Sequence, residues 1–299
     1  MDKVTLLLED FCRQHQLPNH YPAMAKQWFV PLARQIAAMP AIQNTGIALV
    51  GINGCQGSGK STLAALLKDC LYALHKKNAL ILSIDDFYLT RQARYHLAQK
   101  THPLFITRGV PGTHDIALLS KCIQQLQRQQ YPVDIPRFDK AADDRLAKEQ
   151  WDTVTDAIDI ILLEGWCVGS PAQPVQALLD PINPLEDKED SERRWRNTSN
   201  QLLANDYQQL FHTLDTLIML KAPSFDCVFQ WRKTQEDKLQ RSTKNAQSQN
   251  SLMDDNSLIR FIQHYQRITE HTLATLPQSA DIVFALNHQQ QVIQRQDNL

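Results

Sequence analysis

Gly54-Cys55-Gln56-Gly57-Ser58-Gly59-Lys60-Ser61-Thr62 follows the apolar run Gly46-Ile47-Ala48-Leu49-Val50-Gly51-Ile52 and precedes a helix-patterned segment over 61–76. An apolar run without alternation marks a strand buried on both faces. A glycine-rich turn between such a strand and a helix aims successive backbone N–H groups inward. The result is a nest for phosphate oxygens, to which the helix N-terminus adds its dipole. In this pattern Lys60 reaches the terminal phosphates and the Ser61 hydroxyl meets a divalent cation. Gly54, Cys55, Gln56, Gly57, Ser58, Gly59 and Thr62 frame the phosphate chain. Cys55 inside the loop reads as a tolerated small residue, with oxidation there as a hypothetical way to block ATP.

Outward from the loop, apolar runs at 79–84, 158–163, 216–220 and 281–286 read as four more strands. Helix-spaced apolar positions occupy 3–16, 22–38 (with Pro31 as a kink), 116–130, 190–213 and 255–276. Strands alternating with helices predict an α/β chain: the P-loop NTPase three-layer fold, with a mainly parallel five-stranded sheet and helices on both faces. Residues 1–44 form an N-terminal helical extension, and 45–299 the nucleotide-binding domain. Within the latter, 229–256 reads as a mobile lid segment, polar towards its end. Four prolines between 170 and 190 predict a long ordered loop.

The 299 residues are 43% hydrophobic and 21% charged with net charge -1, so nothing in bulk charge favours a nucleic acid or membrane partner. No apolar run approaches the roughly 20 residues that span a bilayer. The first ten residues carry acids and lack a basic leader, and the six cysteines show no CxxC spacing, which together predict a cytoplasmic protein with reduced thiols. Only nine glycines occur, gathered at 46–59, 109–112 and 165–169, which marks three loops that need unusual backbone or close approach.

Ligands of open α/β sheets bind at the carboxyl ends of strands. Asp85-Asp86-Phe87-Tyr88 follows the second strand, and Glu164-Gly165 follows the third. Glu164 is expected to hold Mg²⁺ with Ser61. Asp85 is the candidate general base, with Asp86 as the alternative or a supporting partner. Arg108-Gly109-Val110-Pro111-Gly112-Thr113-His114-Asp115 combines glycines with polar side chains, and Arg137, Lys140 and Arg145 add cations. The set suits a small substrate bearing a carboxylate and hydroxyls: Arg108 would fork the carboxylate and Asp115 would accept from hydroxyls. Tyr88, Thr113, His114, Arg137 and Lys140 are the other expected substrate contacts. A solvated basic face is the competing reading for Arg137, Lys140 and Arg145. Phe229-Gln230-Trp231-Arg232-Lys233 opens a stretch with Lys238, Arg241 and Lys244. It reads either as a lid that brings Arg232 onto a transferring phosphoryl group or as a solvated basic helix.

These pieces together resemble a known family. Residues 54–62, Asp85-Asp86-Phe87-Tyr88, 108–115, Pro136-Arg137-Phe138-Asp139-Lys140 and 162–169 are similar to plant-type D-glycerate 3-kinases and their microbial relatives. That family belongs with the phosphoribulokinase, uridine kinase and pantothenate kinase group. The likeness continues through Asn183-Pro184-Leu185-Glu186, Trp231-Arg232 and Gln235-Glu236, spanning about 45–285. It implies a P-loop kinase fold, ATP with Mg²⁺, and phosphorylation of a small-molecule hydroxyl. In the wider group the first acid of the Asp-x-Phe-Tyr element is the base, which maps onto Asp85. One departure bears on the substrate: Asp143-Asp144-Arg145 stands where the family carries Gly-Asp-Arg.

Three functions compete. The first is an ATP-dependent kinase that converts D-glycerate to 3-phosphoglycerate. The second is a kinase of another hydroxylated metabolite, pantothenate- or nucleoside-like. The third is a nucleotide-hydrolysing switch or motor, which lacks support because neither an Asn/Thr-Lys-x-Asp nor a Leu-Ser-Gly-Gly-Gln element occurs. The oligomeric state is left open.

Overall fold

Strand Ala48–Gly54 is buried along its whole length because helices cover both faces of the sheet it centres. The computed structural model describes residues 2–44, 46–242 and 255–298. Its main sheet runs in the order Val292–Asp297, Ile282–Leu286, Thr216–Lys221, Ala48–Gly54, Ile160–Gly165, Ala79–Ser83. The last five of these are mutually parallel. Side chains alternate between two cores, as the two-residue period of a strand requires. Ala48, Val50 and Ile52 join Ile160, Leu162, Ile218 and Phe284 under the helices Lys3–Gln14, Tyr21–Ala37 and Lys60–His75. Leu49, Ile161 and Leu163 face the helices Ile116–Gln127 and Asp255–Thr275.

The five expected strands are present, and a sixth corrects the expected count. Val292–Asp297 pairs antiparallel with Ile282–Leu286 at the sheet edge. Its pattern hides it: only Val292 is buried, and Ile293, Gln294 and Gln296 face solvent. Strand Ile160–Gly165 runs on to include Glu164, which therefore lies inside the sheet. The expected helix over 190–213 is broken into Arg194–Leu202, a π-turn Leu203–Tyr207 and Gln208–Phe211. The expected lid begins as part of the helix Phe225–Ser242, while 243–254 lie outside the described residues. Among the described residues no helix is long and apolar enough to cross a membrane.

The proline-rich loop at 170–190 is ordered by two buried arginines that take up its carbonyls. Arg196 donates to Leu178 O (2.8 Å) and to Asp190 O (2.7 Å). Arg267 donates to Ala177 O, to Asp180 O and, through both Nε and Nη2, to the Glu186 carboxylate at 2.7 and 2.6 Å. Glu186 is fully buried, so the Asn183-Pro184-Leu185-Glu186 element clamps the loop onto helix Asp255–Thr275. Glu186→Leu leaves the Arg267 charge buried without its partner. The expected loss is about 3–5 kcal/mol, read from the midpoint of a denaturant melt. An unchanged midpoint would show that the clamp contributes nothing.

Candidate active site

The phosphate loop closes between strand Ala48–Gly54 and helix Lys60–His75, whose N-cap Gly59 has left-handed φ (89°). Gly57 is also left-handed (80°), and a Cβ there would stand 2.5 Å from the Cβ of Trp231. Helix Phe225–Ser242 therefore lies directly on the loop, with Arg232 next to the contact residue. Cys55 is buried, and desolvation pushes its thiol up to about 12. The thiol form is unreactive, which works against oxidation at Cys55 and suits a tolerated small residue.

The sheet register gathers the charges. Glu164 pairs across the strands with Ile52 on one side and Ser83 on the other, putting it between the phosphate loop and the turn Ile84–Phe87. Lys60 Nζ stands 3.7 Å from Glu164 Oε2, an ion pair too long for a hydrogen bond. Burial opposes the Lys60 charge, but the carboxylates of Glu164 and Asp85 outweigh it and hold the ammonium above its ordinary value. Asp85 receives Lys140 Nζ at 2.8 Å on Oδ2 and the Tyr88 hydroxyl at 3.0 Å on Oδ1. Burial works against its charge too, yet Lys140 and Lys60 keep the carboxyl well below the usual carboxylate range. Lys60, Glu164, Asp85, Tyr88 and Lys140 thus form one charged cluster.

Asp86 faces the other way. It accepts from Arg137 Nη1 (2.6 Å) and Phe138 N (3.3 Å), and burial raises its carboxyl above the ordinary value in spite of Arg137. Arg137 also binds Asp152. In this arrangement Arg137 is shared by the carboxylates of Asp86 and Asp152. Arg145 is likewise no solvated cation, since it donates to Tyr88 O (2.8 Å) and to the Asp115 carboxylate (3.2 Å).

The Arg108–Asp115 loop is braced from within. Thr113 is fully buried, accepts from Gly109 N and donates to Val110 O, so its hydroxyl is turned inward. Asp115 caps helix Ile116–Gln127 through Leu118 N. His114 stacks on Tyr88 (4.5 Å between centroids) and shares a hydrogen bond with the Tyr207 hydroxyl at 2.7 Å. Desolvation lowers its pKa to about 4, so it is neutral. These three residues shape the loop in the structure, whereas the sequence reading had them touch substrate. Arg108 does lie beside the cluster. Its guanidinium pairs with Asp143, reaches Lys140 O at 3.4 Å and sits over the Phe138 ring.

Several contributors escaped the sequence reading. Tyr265, on helix Asp255–Thr275, donates to Arg108 O (3.1 Å) and packs against Trp166, whose indole donates to Gly109 O (3.1 Å). Gly109 is required here: with φ at 141°, a Cβ would stand 2.2 Å from the Tyr265 oxygen. Burial and Asp85 raise the Tyr265 phenol, while the charges of Arg108 and Arg232 work against them, so Arg232 acts on the same locus. Asn53 joins the loop strand to Trp166 O and Val168 O. A helical tyrosine or a strand asparagine carries no local signal of such a role. The side chains of Gln235-Glu236, Lys238 and Arg241, and all of Lys244, lie outside the described residues. A cavity of about 720 Å³ reaches His114 and Tyr207 but is not lined by Lys60, Asp85 or Glu164.

A phosphate loop at the centre of a parallel sheet, with Glu164 and Asp85 at the neighbouring strand ends, defines a P-loop kinase. No protein-family model matches the chain. It is 32% identical over 243 residues to the Schizosaccharomyces pombe protein named Uncharacterized kinase mug58, covering 76% of this chain and 82% of that one. Identity to the chloroplastic D-glycerate 3-kinase of Arabidopsis thaliana is 28% over 237 residues, 76% of this chain and 48% of the relative. The solved D-glycerate 3-kinase from Cryptococcus neoformans var. grubii shares the fold, with a TM-score of 0.71 at 22% identity over 89% of this chain and 99% of that one. The chain belongs to the glycerate 3-kinase-like family of P-loop kinases.

Proposed function

We propose that this kinase transfers the γ-phosphoryl group of ATP to the 3-hydroxyl of D-glycerate. The observation that carries the reading is the ionised Asp85 carboxylate, set beside both Lys60 of the phosphate loop and Lys140 of the acceptor side. Its support from relatives is the plant protein named D-glycerate 3-kinase.

The loop amides and Lys60 bind the β- and γ-phosphates, and Arg232 neutralises charge from the helix above. The acceptor hydroxyl approaches Asp85, which takes its proton as the oxygen–phosphorus bond forms. The bond to the bridging oxygen of ADP breaks with its electron pair. Mg²⁺ fits the residues present: Glu164 Oε2 is buried without a hydrogen-bond partner, and the Ser61 hydroxyl opens the adjoining helix. Oxygen donors of this kind suit a hard cation. Ser61 and Glu164 would hold the ion, which when bound supplies positive charge to the phosphate oxygens. The six cysteines, none of them in a disulfide, support a reducing compartment such as the cytoplasm for the reaction.

Purified chain with ATP and Mg²⁺, offered a panel of hydroxy acids, vitamins and nucleosides, tests the acceptor through ADP release. Turnover with a nucleoside or pantothenate and none with D-glycerate would replace the substrate and keep the kinase.

A second acceptor reading has an observation of its own. Asp143, where the family carries glycine, has left-handed φ (55°), and its carboxylate lies on Arg108 and Arg94. It therefore occupies the fork that would take a substrate carboxylate, as suits an uncharged polyol acceptor. Asp143→Gly relieves the backbone and frees Arg108. If D-glycerate is the substrate, its KM should fall about tenfold, the scale of a charge-assisted hydrogen bond. A KM that rises would favour the polyol.

A further inference from the structure

We propose that the junction behind the Arg108–Asp115 loop is a built site for one water molecule, held by four side chains from helix Arg194–Leu202, helix Asp255–Thr275 and the proline-rich loop at 170–190. The site lies outside the charged cluster and stands whatever acceptor the enzyme takes.

Four buried polar atoms without a hydrogen-bond partner meet there: Trp195 Nε1, Ser199 Oγ, His264 Nε2 and Gln173 Oε1. Their residues line one cavity, together with Val110 of the Arg108–Asp115 loop. Trp195, Ser199 and His264 are each only 3% exposed. A buried polar group left unpaired costs stability, so four of them around one cavity call for a shared partner.

The charged residues of the lining are already engaged. Arg267 is taken by Glu186 and by Ala177 O, and Arg196 by Asp190 and by Leu178 O. Asn200 accepts from Gln173 N at 2.7 Å and donates to Gln173 O at 3.0 Å, which fixes Gln173 beside the cavity. Trp195 and His264 meet edge to face, with 5.7 Å between ring centroids.

The chemistry of the four atoms specifies the occupant. The Trp195 indole can only donate. His264 Nδ1 lies 2.9 Å from Arg260 O, and a carbonyl only accepts, so the ring proton sits on Nδ1 and Nε2 is an acceptor. Burial lowers the His264 pKa to about 4, which leaves the ring neutral near pH 7. Gln173 Oε1 accepts, and the Ser199 hydroxyl does either. A cation would face the indole N–H, and an anion would face the lone pairs of His264 and Gln173. A molecule with two donors and two acceptors meets the whole set. The space open to the centre of a guest is about 10 Å³, close to what one water needs. Bound there, the water joins two helices to the proline-rich loop. It also backs Val110, which clusters with Trp195, Leu104, Phe105 and Leu185.

High-resolution crystals of the full wild-type chain and thermal melts of His264→Phe test the site. One water peak is expected within about 2.7–3.2 Å of the four atoms. Phenylalanine is close to histidine in helix propensity, but its larger ring takes the room of the water and leaves Trp195, Ser199 and Gln173 unpaired. The thermal midpoint should therefore fall by about 4 °C or more. If no water is held, the same substitution removes an unpaired nitrogen and fills a hole, so the midpoint rises. A dry cavity in the wild-type crystal, a peak with the coordination of an ion, or a midpoint that holds or rises would each overturn the site. If His264→Phe does not fold, the wild-type crystal decides alone.

Discussion

Lys60→Ala is expected to lower kcat by on the order of 10²–10³ or more, the cost of deleting one preorganised charge that meets the developing phosphoryl charge. The Lys60 side chain is only 15% exposed, so its field acts with little screening by water. Its pKa is raised, so it carries full charge through the neutral range, and that charge is lost only as pH climbs through the raised value, far into alkali. The substitution also strips Glu164 and Asp85 of a shared counter-charge, so folding must be checked separately. Single-turnover phosphoryl transfer beside a thermal melt does both. A folded variant that keeps a substantial part of wild-type turnover would remove Lys60 from the chemistry.

Asp85→Asn should be the next largest effect, smaller than that of Lys60. General-base catalysis contributes roughly 10²–10⁴, and a loose phosphoryl-transfer transition state favours the lower end because little proton transfer has occurred. Asparagine keeps the size and can still accept from the Tyr88 hydroxyl, so ATP affinity should hold while kcat falls. The wild-type pH profile supplies an independent check. Because the Asp85 pKa lies below the ordinary carboxylate value, the group stays ionised above about pH 4. Its contribution is lost only as pH falls through that lowered value, so it should impose no acid limb between about pH 5 and 8. Full activity in Asp85→Asn would return the base to Asp86. That residue is engaged with Arg137 and Phe138 N, which makes it a poor substitute.

The parallel strands, the phosphate loop and the acids at strand ends were legible because each depends on residues adjacent in the chain. A run such as Ile160-Ile161-Leu162-Leu163 states its own burial, and the glycines at 57 and 59 state the backbone they require. The polar edge strand Val292–Asp297 was not legible, since pairing with a neighbour defines it and its composition does not. The Arg108–Asp115 loop shows what a sequence leaves out. Thr113, His114 and Asp115 are polar and stand among glycines, which suggests ligand contacts. Yet a buried loop must satisfy its own backbone, which engages Thr113 and Asp115, while His114 is held by the Tyr207 hydroxyl. Arg137 and Arg145 were left between a pocket and a solvated face, because a sequence shows a charge but not its partner.

What the sequence determined by itself was therefore the nucleotide-binding core and the family, with Lys60, Asp85 and Glu164 as its candidate site, all carried by short contiguous motifs in a strand-to-helix setting. Only the tertiary structure decided which cations stand beside Asp85, that Asp143 occupies Arg108, and that Tyr265 props the Arg108–Asp115 loop. Those contacts join residues 35 to 157 positions apart. Their geometry follows from how the helices pack on the sheet, and no local pattern encodes it.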